Sequence, residues 1–227
     1  NAKLSGWGIY AYGKSQAKLT ISGAAGAYGS TIKSYSITTN PSVGSSTAST
    51  VTTGTIYTTG TVTVTATITD TRGRTATKTT TFYVYPYGSP YFSSVEAYRC
   101  NSSGVQDDVA GTYARLRVSF GVYALSGSNT VSCRAVLSQV GGAYSTTATL
   151  TSETGVTLGG GNLAIDAVYK AELTLTDTVG TVSTYTAEIS SAALLKSLRK
   201  TVAWTVVSSF VVKAFSSPPR FSRRQFT

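Results

Sequence analysis

The chain has 227 residues, 41% of them hydrophobic, which is room for one large domain or two of about 100 residues and enough apolar material for a core, which argues against global disorder. No run of about 20 apolar residues is present to span a bilayer. The net charge of +10 is lopsided: Lys196, Arg199, Lys200, Lys213, Arg220, Arg223 and Arg224 supply seven of those charges, so everything before Lys196 nets only +3 and offers no basic stripe of the kind nucleic acid requires.

Threonine is the commonest residue, and Thr, Val, Ile and Tyr suit pleated, half-buried strands better than helices. The chain has no Met, which predicts a processed product or a piece of a longer protein, and no apolar leader follows Asn1. Near the start, Trp7, Tyr10 and Tyr12 alternate in a strand-like segment. They are the candidate residues for surface contact with a glycan or a protein; the competing reading packs them, like most of the fifteen tyrosines, into a core. Gly13-Lys14-Ser15 has the look of the end of a phosphate loop, but the motif's earlier glycine is missing and no helical pattern follows, so no nucleotide site is read there. Ala17, Leu19 and Ile21 alternate as one strand, and Tyr35-Ser36-Ile37 belong to another.

The clearest strand runs from Thr61 to Thr69, where Val62, Val64, Ala66 and Ile68 alternate with threonines and so put apolar groups on one face and hydroxyls on the other. Asp70-Thr71-Arg72-Gly73 reads as a tight turn, with Asp70 and Gly73 as its structural residues, and a strand from Thr75 to Tyr85 completes a hairpin. Pro86-Tyr87-Gly88-Ser89-Pro90 then stops the strand. The first domain is set at 1–86, open to an upstream extension, and a stiff linker at 87–90. Tyr83, Tyr85, Tyr87 and Tyr91 flank that linker and are expected to pack the joint.

In the second half, Ala114, Leu116, Val118 and Phe120 alternate, Val131 to Leu137 form a further strand, and Gly159-Gly160-Gly161 reads as a loop. Tyr169, Ala171, Leu173 and Leu175 alternate, Asp177-Thr178-Val179-Gly180 make a turn on Asp177 and Gly180, and Val182 to Ile189 return. This repeats the Asp70 hairpin 107 residues later, which indicates two copies of one domain type. The predicted fold is all-β: two tandem immunoglobulin-like antiparallel β-sandwiches, the second at 91–193, with an atypical basic C-terminal tail at 194–227. That tail has no glycine; Leu194 to Arg199 read as a helical turn, and residues 201–215 are apolar and β-branched. Three readings of it compete: an extra strand or arm that docks on a partner, a disordered tail, or the product of an altered reading frame.

Chemistry is sparse. Without histidine, Ser-His-Asp and Cys-His mechanisms are excluded within the chain, and only nine carboxylates exist. Asp107-Asp108 is the one adjacent acidic pair, and it sits in a loop pattern between Gly104 and Gly111. Asp70 and Asp177 lack acidic neighbours, so they read as turn formers and not as calcium ligands. Cys100 and Cys133 pair if they lie on facing strands; otherwise they are two buried thiols. The reading is a protein that is not an enzyme, with no catalytic residue, no cofactor and no metal.

Gly13-Lys14-Ser15, the run Ala27-Tyr28-Gly29-Ser30-Thr31-Ile32-Lys33-Ser34-Tyr35, Asp70-Thr71-Arg72-Gly73-Arg74 and Tyr87-Gly88-Ser89-Pro90 together resemble minor tail or baseplate proteins of long-tailed phages of Gram-positive bacteria. Arg99-Cys100-Asn101-Ser102-Ser103-Gly104, continuing through Asp107-Asp108 to Gly111-Thr112-Tyr113, is similar too, and the resemblance covers about residues 9 to 193. It implies a virion structural module of a tail tip, baseplate or fibre, with other tail subunits, a homo-oligomer such as a trimer, or a host cell-wall glycan as partners, and no nucleic acid. It supplies no catalytic residues. After Leu194-Leu195 the sequence departs from that family's acidic, glycine-rich continuation. A bacterial cell-surface adhesin or carbohydrate-binding immunoglobulin-like module is the alternative reading.

Overall fold

A computed structural model describes residues 1–191; the tail read at 194–227, and the last residues of the domain read at 91–193, lie outside the described residues. Apart from one short helix the described chain is all-β. The helix is itself a departure from expectation. Where Trp7, Tyr10 and Tyr12 alternate like a strand, Ala2–Trp7 forms α1. Asn1 caps it by accepting the Lys3 N–H at 3.0 Å. Gly8, at φ 67°, ends it in the left-handed conformation that glycine adopts without a Cβ penalty. Caps at both ends of a six-residue segment, with Leu4 buried, outweigh an alternation of only three aromatics.

The strands that follow are β1 (Tyr10–Ala11), β2 (Lys18–Thr20), β3 (Ile32–Asn40), β4 (Thr50–Thr52), β5 (Gly60–Asp70), β6 (Thr75–Tyr85), β7 (Tyr91–Cys100), β8 (Tyr113–Gly121), β9 (Val131–Gln139), β10 (Ser145–Leu150), β11 (Gly155–Leu158), β12 (Tyr169–Asp177) and β13 (Val182–Ile189). They form sheets in the orders β1-β6-β5-β3, β2-β4, β10-β9-β12-β13 and β11-β8-β7. The backbone divides into two compact units. The first comprises Asn1–Ser94, Ser119–Cys133 and Thr174–Tyr185; the second comprises Val95–Val118, Arg134–Leu173 and the chain from Thr186.

The spine of the first unit is the β5–β6 hairpin, an unbroken antiparallel ladder from Thr69↔Thr75 to Gly60↔Val84, with β3 on its other flank. Val62 and Val84 point inward and pack with Ala17 and Ile56 under Leu19, Tyr10 and Phe82. A second cluster gathers Leu4, Ala11, Tyr87, Leu125 and Val179, with Trp7, Ile9 and Tyr85 against it. In the second unit the period of two continues: Ala114, Leu116 and Val118 on β8, Ala135 and Leu137 on β9, and Tyr169, Ala171 and Leu173 on β12 are all buried. Each such leucine stabilises the fold by about 2 kcal/mol relative to exposure. Among the described residues no helix is long and apolar enough to cross a membrane.

Candidate functional site

The two Asp-Thr-x-Gly turns are built alike. At the first, the Asp70 carbonyl accepts the Gly73 N–H at 3.0 Å while its Oδ1 accepts the N–H groups of Arg72 and Arg74, both at 2.9 Å. Asp70 Oδ2 accepts Arg74 Nε at 2.8 Å and Ser30 Oγ at 2.9 Å. Burial works against the charge on Asp70, but these donors, Arg74 foremost, outweigh it and hold the carboxyl at about 2. At the second, the Asp177 carbonyl accepts the Gly180 N–H at 3.0 Å and Oδ1 accepts the Thr181 N–H at 2.7 Å. Asp177 Oδ2 accepts Tyr87 Oη at 2.7 Å and Asn129 Nδ2 at 3.1 Å, and Tyr87 Oη also bonds Thr181 Oγ1. Gly73 and Gly180 stand at φ 79° and 97°.

Both turns also dock in the same way. The Thr71 N–H donates to the Thr31 carbonyl and the Thr178 N–H to the Thr130 carbonyl, each at 2.9 Å. Ser30 and Asn129, one residue earlier, reach the respective aspartates. The sequence marks Asp and Gly at both sites but gives no sign of Ser30 or Asn129, because their partners lie 40 and 48 residues away. Asn129 is used in full: Nδ2 also donates to the Tyr123 carbonyl at 2.9 Å and Oδ1 accepts the Val179 N–H at 3.3 Å. Both carboxylates are therefore occupied by donors from the turn and from side chains distant in sequence. Among the described residues no three Asp, Glu or Cys side chains are gathered where one cation could meet them.

Trp7, Tyr10 and Tyr12 go to three different places. Trp7 packs on the Leu4 cluster, and Tyr10 lies against Phe82 with ring centroids 4.7 Å apart. Tyr12 alone faces solvent, where it meets Tyr57 edge to face at 5.7 Å. The Tyr12 N–H is fixed on the Tyr85 carbonyl and the Gly13 N–H on the Ile56 carbonyl, which sets both rings on held backbone. Tyr57 is 70% exposed, so the pair presents an aromatic edge and two hydroxyls to the surroundings. Next to it a groove of about 580 Å³ is lined by Asn1, Ser5, Lys14, Ser15, Gln16 and Thr55. Ser15 is no phosphate ligand here: its Oγ is buried and accepts the Ala11 N–H at 3.0 Å.

The second unit holds a residue that the sequence does not single out. Among the described residues Arg99 is the largest fully buried side chain. Its guanidinium donates to four backbone carbonyls: Ser190 at 2.8 Å, Gly111 at 2.9 Å, Ala164 at 2.9 Å and Ala167 at 2.6 Å. It also lies over the Tyr169 ring, 5.5 Å from the centroid. Burial lowers its pKa, and Tyr169 and Asp166 act against that. The β7–β8 loop, the β11–β12 loop and the end of β13 are thus tied to one cation. Asp107 and Asp108 do not converge on a substrate space: Asp107 Oδ1 accepts the Val109 and Ala110 N–H groups, and Asp108 accepts Gln106 Nε2. Cys100 and Cys133 are both free and buried. Burial pushes the Cys133 thiol up to about 11 and raises Cys100 too, against the opposing pull of Arg115, so neither is an activated nucleophile.

The chain belongs to a siphovirus protein family: the family described as "Siphovirus protein of unknown function (DUF859)" matches residues 10–191. No curated protein matches it. A solved structure, described as "Structures of Clostridium thermocellum CbhA fibronectin(III)-like modules", is similar over 82% of this chain and 90% of that one, at 12% identity and a TM-score of 0.28.

Proposed function

We propose that this siphovirus protein is a structural module of the virion, in a tail tip, baseplate or fibre, made of two tandem immunoglobulin-like sandwiches at 1–86 and 91–193 with the joint at 87–90. It works by rigid spacing and surface contact and has no enzymatic activity. The observation that carries this is the family match across residues 10–191. An all-β chain whose Asp70, Asp107 and Asp177 carboxylates are spent on turn donors, and whose β5–β6 surface is a field of threonines, supports it. Its partners are neighbouring tail subunits, other copies of itself, and a host cell-wall glycan met at Tyr12 and Tyr57. Electron microscopy of virions with a labelled antibody tests the placement: label at the tail is the expected result, and virions without it there sink the proposal.

The Tyr12–Tyr57 pair also favours a second reading, a bacterial cell-surface adhesin or carbohydrate-binding module. The same antibody on intact bacteria distinguishes the two, since that reading needs label on the cells and none on virions.

A further inference from the structure

The groove of about 580 Å³ beside the Tyr12–Tyr57 pair falls within the ~300–1,000 Å³ span of small-molecule sites. Its walls come from α1, the β1–β2 loop and the β4–β5 loop. Backbone bonds lace the two loops together. The Gly13 N–H donates to the Ile56 carbonyl at 2.8 Å, and the Ile56 N–H donates to the Ser15 carbonyl at 3.0 Å. The Ala11 N–H adds its bond to the buried Ser15 Oγ. The walls are thus held in place before any ligand arrives, which lowers the entropic cost of binding. Gly13 joins the groove to the rings: a Cβ on it would lie 3.7 Å from Tyr57 Cε1.

The exposed polar side chains of this groove have no partner of their own. Among the described residues, Ser5 Oγ, the Gln16 amide and Thr55 Oγ1 make no hydrogen bond. Lys14 Nζ makes no ion pair and meets the Tyr87 ring, 5.5 Å from its centroid. No carboxylate lines the groove. Asp70 is the one acid before Glu96, and it sits at the far end of β5. Nothing in the groove therefore neutralises Lys14 or could hold a cation between wall and ligand. We propose that this groove binds a short acidic oligosaccharide without a metal ion. The CH face of a sugar lies on the Tyr57 ring. Ser5, Gln16 and Thr55 each donate and accept, which suits sugar hydroxyls and acetamido groups. A carboxylate or phosphate substituent meets Lys14 in a charge-assisted hydrogen bond. This rests on the reading of the Tyr12–Tyr57 edge as a glycan contact, and it adds the sign of the ligand's charge and its independence of calcium.

Calorimetric titration of the full chain tests it. The acidic probes are trigalacturonate and a phosphorylated maltotriose, which separate a carboxylate from a phosphate. Their neutral counterparts are the methyl ester of the first and plain maltotriose. At least one acidic probe should bind about tenfold or more tighter than its counterpart, with EDTA making no difference. Lys14→Gln should erase that preference. Tyr57→Ala and Thr55→Val should weaken acidic and neutral members alike by several-fold. Lys18→Gln and Tyr28→Ala, exposed and outside the groove, should leave binding unchanged and so exclude general attraction to a basic or aromatic surface. All four positions are exposed, and circular dichroism should match the parent chain throughout. Failure of every probe to bind, binding that EDTA abolishes, or an acidic preference that survives Lys14→Gln overturns the proposal. Binding that Tyr57→Ala removes but Lys14→Gln and Thr55→Val leave untouched overturns the groove and keeps the glycan contact. Neither result moves the antibody label that decides the virion reading.

Discussion

Replacing Tyr87 with Phe should make stability less sensitive to alkaline pH, and the structure gives the size of the effect. Tyr87 is 8% exposed, with its hydroxyl on Asp177 and Thr181. Burial pushes its pKa up; the Thr181 bond opposes this and the Asp177 carboxylate adds to it, taking the phenol from 10.0 to about 12. A group whose pKa is raised on folding contributes stability that is complete below the unfolded value and is lost as pH climbs through the folded one. The window is therefore 10 to about 12, and the loss across it is at most about 2.7 kcal/mol, from 1.36 per unit. Phe keeps the ring against Leu4, Ala11 and Leu125 but leaves Asp177 Oδ2 with Asn129 alone, which costs about 2 kcal/mol near neutrality. Urea unfolding followed by circular dichroism should show wild type ahead by that amount at about pH 8 and the gap closing by about pH 12. A gap that stays constant across the window refutes the assignment of Tyr87 as a buried neutral donor to Asp177.

Substitutions at three other positions have expected outcomes. Asp70, held at about 2 against an ordinary 3.8, contributes stability present above 3.8 that is lost as pH falls towards 2. Acid titrations of wild type and Asp70→Asn should therefore converge over that interval, and parallel curves would contradict the Arg74–Ser30 cradle. Gly73→Ala should cost about 1 kcal/mol in urea unfolding. A Cβ there meets nothing within 4 Å and the only penalty is a positive φ, so a much larger loss would mean a steric role that the geometry does not contain. Arg99→Leu should cost at least about 3 kcal/mol, since it removes the guanidinium that serves the Gly111 and Ala167 carbonyls. Arg99→Lys should recover only part of that loss, because an ammonium cannot span the Ser190, Gly111 and Ala167 oxygens as the planar guanidinium does.

The residues that were legible in the sequence are those whose message is local. Alternation over Thr61–Thr69 and Tyr169–Leu175 marks β5 and β12 because a half-buried strand must alternate whatever lies opposite. Asp70 and Asp177 announce turns because their side chains bond their own backbone two to four residues on. Trp7 departs from the strand pattern for the same reason: three aromatics at spacings of two and three satisfy that pattern, and the deciding information sits in the caps at Asn1 and Gly8.

What the sequence could not show is where the second partner of each local feature comes from. Ser30 and Asn129 are unremarkable polar residues until the chain brings them under the turns, and Arg99 is one arginine among many until two loops and the end of β13 close on it. The pairing of Tyr12 with Tyr57, 45 residues apart, has the same character. The twin docking of Asp70 on Ser30-Thr31 and Asp177 on Asn129-Thr130 nevertheless changes what the repeat means. A short repeated string could be coincidence of turn chemistry, since Asp-x-x-Gly suits many hairpins. Two turns that each seat their second residue on a threonine carbonyl at 2.9 Å and their aspartate on the residue before it repeat an interaction between distant strands. The partners at the two sites differ: Ser30 and Arg74 serve the first carboxylate, Asn129 and Tyr87 the second. What recurs is the demand to neutralise a buried turn aspartate with two side-chain donors, met once by a cation and once by neutral groups.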